Sequence, residues 1–291
     1  MRYIEELRGD PKFLTGPFGR VAVLSLNARL TSHAHSQCNL IIKLDGPDQS
    51  FCVEGRDVPL TDERAVVINR WQEHCYVPGI TEVSTTYLAL YIEPDWLAQG
   101  GPEFEGFDAG RHLCQASVPI SRAIRSLARQ LGDLVCAENP TSGLAGQLII
   151  GLMREVVRAD LNSHLHPCRS DYRIRRALNE MQGALDTPFD FDAVARNAGL
   201  SRSRFNVLFK EMVGVGPAIY GNALRLEAAL AALAARSKAK DVADDLGFSS
   251  AANFSRFFQQ HTGVPPGKFQ KFVLTPADLT GPLIVYGRGV R

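Results

Sequence analysis

Two histidines one residue apart, in "HAHSQCN", and a third in "NRWQEHCYVP" are the side chains of this chain best suited to coordination. As neutral imidazoles, His33, His35 and His74 could together hold zinc, iron or nickel. Alternation along an extended strand would set His33 and His35 on one face. The simpler expectation is that the three are polar groups lining a pocket, with no bound metal. Trp71, Tyr76 and Tyr87 could line such a pocket for an organic ligand, or serve as core. The six cysteines (Cys38, Cys52, Cys75, Cys114, Cys136 and Cys168) are scattered without a C-x-x-C. In a reducing compartment they are expected as thiols.

A second set of residues could read nucleic acid. "AGLSRSRFNVLFKEMVGVGP" and "GFSSAANFSRFFQQHTGVPP" share one layout. Gly199, Leu200 and Ser201 match Gly247, Phe248 and Ser249 at an offset of 48. After one inserted residue the offset is 49, pairing Phe205 with Phe254, Phe209 with Phe258, Gly214 with Gly263 and Pro217 with Pro266. The chain therefore carries a duplicated unit. Each copy reads as two short helices joined by Gly-apolar-Ser, a helix-turn-helix. Glycine ends the first helix in the left-handed conformation, and the following serine caps the second. Val194, Leu200, Phe205 and Phe209 would hold the first unit together, and Val242, Phe248, Phe254 and Phe258 the second. The opposite face of each second helix is left for a major groove.

These residues need elements to position them. Residues 20–93 read as short strands, beginning with Leu24, Leu26, Ala28 and Leu30 alternating with polar residues, and joined by tight turns. That pattern argues for a small sandwich or barrel. After Gly101 the period becomes helical. Ile120, Ile124, Leu127, Leu131 and Val135 form one stripe, and Leu144, Leu148, Leu152 and Val156 another. The short loop around "NPT" makes these two an antiparallel hairpin. "NSHLHPCRS" reads as a linker, and from Asp171 the chain is helical. The last segment is either an extra strand or a loose tail. Residues 169–291 hold 17 Lys+Arg and 11 Asp+Glu, while the remainder hold 15 and 20. A basic C-terminal part beside an acidic N-terminal part suits contact with a polyanion. No apolar run nears the roughly 18 residues that span a bilayer. The N-terminus lacks the apolar core of a signal peptide, so a cytoplasmic location is expected.

Residues 172–271 resemble the DNA-binding domain of the AraC/XylS family of bacterial transcription regulators. The resemblance rests on Arg225-Leu226, Ala229, Val242-Ala243, Gly247-Phe248-Ser249, Phe254-Ser255-Arg256, Phe258, Gly263 and Pro265-Pro266. It implies that both second helices read major grooves of double-stranded DNA. The matching positions are Arg202, Ser203, Asn206, Val207 and Lys210 in the first unit. In the second they are Ala251, Ala252, Asn253 and Arg256. Arginine pairs two donors with guanine and asparagine pairs with adenine, while lysine and serine more often hold phosphate. Where the family often has arginine this chain has Val207, which could touch a thymine methyl. Gln259 and Gln260 stand where basic residues are common, which weakens non-specific affinity.

The two histidine motifs resemble those of the cupin fold, common as the sensor of such regulators. Metal-binding cupins add a carboxylate about four residues after the histidine pair. Here that position is Asn39, a poor ligand, so the resemblance implies a sensor without metal or other cofactor. The expected chain is α+β with two domains. Residues 1–105 form a cupin-like barrel, 106–168 a hairpin and linker, 169–275 a double helix-turn-helix, and 276–291 a tail. A small-molecule effector is expected at His33, His35, Trp71, His74 and Tyr87. The hairpin stripe is expected to face a second copy or to pack on the barrel. A homodimer, contact with RNA polymerase and no membrane or catalytic role complete the expectation. Two rivals stay open: a metal-dependent cupin enzyme carrying a DNA-binding domain, and a regulator with no effector.

Overall fold

A computed structural model describes residues 10–26, 28–78, 83–107, 111–137, 140–160, 164–165 and 171–274. Eight strands come first: β1 (Lys12–Gly16), β2 (Gly19–Leu26), β3 (Cys38–Asp45), β4 (Gln49–Val53), β5 (Arg56–Leu60), β6 (Arg64–Ile68), β7 (His74–Val77) and β8 (Thr85–Ile92). Helix α1 (Pro94–Ala98) follows, then the short strands β9 (Arg111–His112) and β10 (Ser117–Pro119). The hairpin is α2 (Arg122–Cys136) and α3 (Ser142–Ala159), and β11 (His164–Leu165) pairs back on β9.

With β12 (Val273–Leu274), the strands make a seven-stranded sheet in the order β10-β6-β3-β8-β2-β1-β12 and a three-stranded sheet in the order β5-β4-β7. The two sheets face each other across Ala22, Leu24, Ile41, Phe51, Val66, Tyr76 and Tyr87, and do not close into a barrel. Strand β2 ends at Leu26, so the expected alternation through Ala28 and Leu30 stops early. It has two buried faces: Ala22 and Leu24 point to the small sheet, Val21 and Val23 to the helices.

The hairpin covers that second face. Ile124, Leu131 and Val135 of α2, with Leu152 and Val156 of α3, share one core with Val21, Leu40 and Leu90. Ser121 caps α2 by accepting from the Ile124 amide. Of the two expectations for this stripe, a second copy or the N-terminal strands, the packing shows the strands, on a sheet that would otherwise expose a row of valines and leucines. At about 25 cal/mol per Å2 of apolar surface, that is the stronger claim on those side chains.

The C-terminal part is helical: α4 (Tyr172–Gly183), α5 (Phe191–Asn197), α6 (Arg202–Val213), α7 (Pro217–Ala234), α8 (Ala239–Asp245), α9 (Ala251–Thr262) and α10 (Pro266–Phe272). It ends in β12 (Val273–Leu274), which adds in parallel to β1 through Phe13↔Val273 and Leu14↔Leu274. The extra strand expected near the C-terminus thus exists and ties the two parts together. The expected tail, 276–291, lies outside the described residues, as does most of the expected linker.

Candidate functional site

The duplicated unit folds as two matching helix pairs, α5–α6 and α8–α9. Gly199 and Gly247 have φ of +71° and +65°, the left-handed geometry that lets the chain turn out of the first helix. A Cβ on Gly247 would also meet the Asp186 carbonyl oxygen at 2.2 Å. The turns repeat bond for bond. Leu200 N–H donates to Ala195 O at 2.9 Å, and Phe248 N–H to Ala243 O at 2.9 Å. Ser201 caps α6 by accepting from Arg204 N–H. In the second unit the cap is Ser250, not Ser249, because the extra residue moves the capping position by one. Ser249 instead accepts from the Asn253 side chain at 2.7 Å. Phe205, Phe209, Phe254 and Phe258 are wholly buried, as the sequence required.

The faces left outside hold the expected reading residues. Ser203, Asn206, Val207 and Lys210 are exposed on α6, with Val207 at 51%. Ala251, Ala252, Asn253 and Arg256 are exposed on α9. Arg256 donates to Asn253 Oδ1 at 3.4 Å, which holds both toward one side. Arg202 is less available. Its guanidinium lies 5.0 Å over the Phe191 ring and 4.0 Å from Asp192. Arg204 was missed. It is exposed at the position of α6 that matches Asn253 of α9, so the one-residue offset between the copies could have found it. Helix α7 links the units. Its Arg225 donates to Thr187 O and lies 4.8 Å over Phe189, before the first unit, and 5.8 Å over Phe248 of the second, bridging the two.

The histidines form the second site. The segment that bears His33 and His35 is irregular, with only a bridge between His33 and His74. The expected strand face is absent, yet the rings converge. Ligand nitrogens of His33, His35 and His74 all lie within 4.8 Å of one another, and all three residues are buried. The Nδ1 atoms sit 2.7 Å from Thr31 O, 3.1 Å from Gln37 O and 2.8 Å from Gln72 O. A carbonyl only accepts, so each Nδ1 carries the proton and each Nε2 keeps its lone pair. Asn39 donates from Nδ2 to His35 Nε2 at 3.0 Å, while its buried Oδ1 has no partner. Burial first, then the neighbouring His33 ring, lowers His35 to about 3. Burial and then His35 do the same to His74. Burial and then His74 hold His33 well below its ordinary value. Three neutral, backbone-anchored imidazoles fit a transition metal. Asn39 turns its amide nitrogen toward His35 where a carboxylate would stand.

The other expected ligand contacts disperse. Tyr87 is core, its ring 6.2 Å from Phe51 and 6.0 Å from Tyr76. Trp71 turns away with φ of +58° and meets Tyr220 of α7 at 4.7 Å. It belongs to a junction the sequence did not reveal. His261, near the end of α9, lies 6.0 Å from His33. Thr31 N–H donates to Gln260 O at 3.0 Å. Ser36 donates from N–H and Oγ to Glu227 of α7 at 3.2 and 2.8 Å. Burial raises the Glu227 carboxyl above its ordinary value. Both reading helices are held at the same end: Gly214 after α6 lies against Trp71, and Gly263 after α9 against Leu26. A surface groove lined by Phe18, Trp96, Gly146 and Ile150 lies elsewhere, on the helical layer.

Residues 194–271 match a family described as a helix-turn-helix domain. Over 255 residues, 86% of this chain and 96% of the relative, the chain is 26% identical to the probable transcriptional regulator LumQ of Photobacterium leiognathi. It is 32% identical over 144 residues to the arabinose operon regulatory protein of Escherichia coli, covering 48% of this chain and 49% of that protein. These similarities are to AraC-type transcription regulators. Its two-part fold is similar to that of ToxT from Vibrio cholerae solved with an unsaturated fatty acid bound. The TM-score is 0.54 at 12% identity, over 90% of this chain and 94% of that one. The matched region contains both helix pairs, with α6 and α9 as their second helices.

Proposed function

We propose that this AraC-family regulator is controlled by an effector bound where the DNA-binding units dock on the N-terminal sheets. The observation that carries the reading is the shared anchoring of α6 and α9, at Gly214 on Trp71 and at Gly263 on Leu26. A ligand that reshapes this junction would re-aim both reading helices at once, a population shift between DNA-competent and incompetent arrangements. Phe51, Tyr76 and Tyr87 fill the space between the sheets, so a small polar effector suits the junction better than a long acyl chain. Such a regulator would work in the cytoplasm as a homodimer, contact RNA polymerase and catalyse nothing. The test is operator affinity of the full chain carrying Trp71→Ala with Ser36→Ala. Neither residue lies on α6 or α9. A change of roughly fivefold or more, with the helical content unchanged, is the expected result for a coupling of about 1 kcal/mol or more. Unchanged affinity would remove the basis for the proposal.

A second reading is favoured by the convergent Nε2 lone pairs. Here the effector is a transition-metal ion held by His33, His35 and His74. The ion would supply charge and a fixed geometry at the junction. Elemental analysis of untagged protein distinguishes the two. About one equivalent of metal, lost on His74→Ala, supports this reading, and metal-free protein that still responds to an organic effector supports the first.

A further inference from the structure

Cys52 and Cys75 stand directly opposite each other on the antiparallel strands β4 and β7. Glu54 N–H donates to Glu73 O at 2.9 Å two residues along the same ladder. Bonded and non-bonded pairs alternate, so Cys52 and Cys75 also form a bonded pair. Such pairs have Cα atoms about 5.5 Å apart. Disulfides span Cα separations of roughly 4.4–6.8 Å. Burial first, then the neighbouring Cys75, raises the Cys52 thiol above its ordinary value. Cys52 is half-buried and Cys75 buried. We propose that Cys52 and Cys75 are a redox-active dithiol that closes reversibly to an intrachain disulfide.

The oxidant is a low-molecular-weight disulfide. The more accessible Cys52, as thiolate, attacks one of its sulfurs. An S–S bond forms to Cys52 and one small thiol leaves. Cys75, as thiolate, then attacks the Cys52 sulfur and expels the second small thiol. The two protons from the cysteines end on the two released thiols, and two electrons pass to the small disulfide. In a bonded pair the side chains lie further apart than in a non-bonded one. The bridge therefore closes under some strain and is easily reduced again, which suits a switch better than a permanent staple. Strand β7 gives the switch a route to the junction. His74 immediately precedes Cys75 on that strand, and its backbone exchanges both hydrogen bonds with His33 at 2.9 Å.

The experiment equilibrates the full-length protein in graded ratios of oxidised to reduced glutathione. Samples are acid-quenched, alkylated and analysed by peptide mass spectrometry. The expected product is a peptide pair linked through Cys52 and Cys75, with both thiols disappearing at one midpoint and returning on reduction. Cys114→Ser should leave it unchanged. In urea the selectivity for this pair should vanish, because the fold supplies the proximity. A stable mixed disulfide on Cys52 with Cys75 still alkylatable would overturn the proposal. So would oxidation confined to other cysteines while both of these remain thiols.

Discussion

Acidifying the metal-free protein should loosen it well above the pH at which carboxylates titrate. His35 and His74 are each lowered to about 3 from an ordinary 6.5. The unfolded chain thus binds protons that the native chain refuses. Their stabilising contribution is full above pH 6.5 and is lost progressively as pH falls toward 3. One unit below the unfolded value, at about pH 5.5, each imidazole costs roughly 1.4 kcal/mol, or about 3 kcal/mol for the pair. His33 and His261, lowered chiefly by burial, act in the same sense. Glu227 opposes them, because its raised value makes the native state take up a proton as pH falls. Urea titrations with a chelator present, followed by the fluorescence of the two tryptophans, Trp71 and Trp96, would measure the net effect. The expected result is a midpoint that falls between pH 7.5 and 5.5. A His35→Gln, His74→Gln double variant should show a shallower slope, with His261→Gln as the alternative if that protein fails to fold. A midpoint independent of pH over this window, or a wild-type slope in the variants, would refute the reasoning.

Arg256→Ala should weaken operator binding by about 1–3 kcal/mol and relax specificity at one base pair, with the melting temperature held, as its exposed position on α9 requires; equal loss on all DNA sequences would count against it. Val207→Arg, placed at the match of Arg256, should raise affinity for sites with guanine at the contacted base, measured by gel shift or anisotropy. Leu131 is fully buried against the sheet, so Leu131→Ala should cost about 2–5 kcal/mol, and a charge there should unfold the protein rather than yield a folded monomer. Helix α7 has 18 residues, close to 27 Å at about 1.5 Å per residue, against about 34 Å between successive major grooves. Inserting half a helical turn between the two elements of one site should abolish tight binding in footprinting; if that insert is tolerated, only one unit reads DNA.

The helix-turn-helix pair was legible in the residues because its determinants are local. A serine cap, a glycine turn and phenylalanines three to four apart act within one or two helical turns, whatever surrounds them. Even the errors there were local, as with the cap that moved from Ser249 to Ser250 and the overlooked Arg204. The two strand-rich and helical parts were likewise visible as a change of period. The destinations of the buried faces were not. An apolar stripe on α2 states that something must cover it; only the packed chain shows that the cover is β2, β3 and β8 rather than a second copy. The same holds for His33, His35, Trp71 and Tyr87. Sequence grouped them by type, whereas the fold kept the histidines together, placed Tyr87 in the core and turned Trp71 toward Tyr220. The junction itself joins Ser36 to Glu227, 191 residues apart, and such a contact leaves no periodic trace in either segment. Spacing along the chain encodes what neighbouring residues do to one another; which distant surfaces meet is decided by burial summed over the whole molecule.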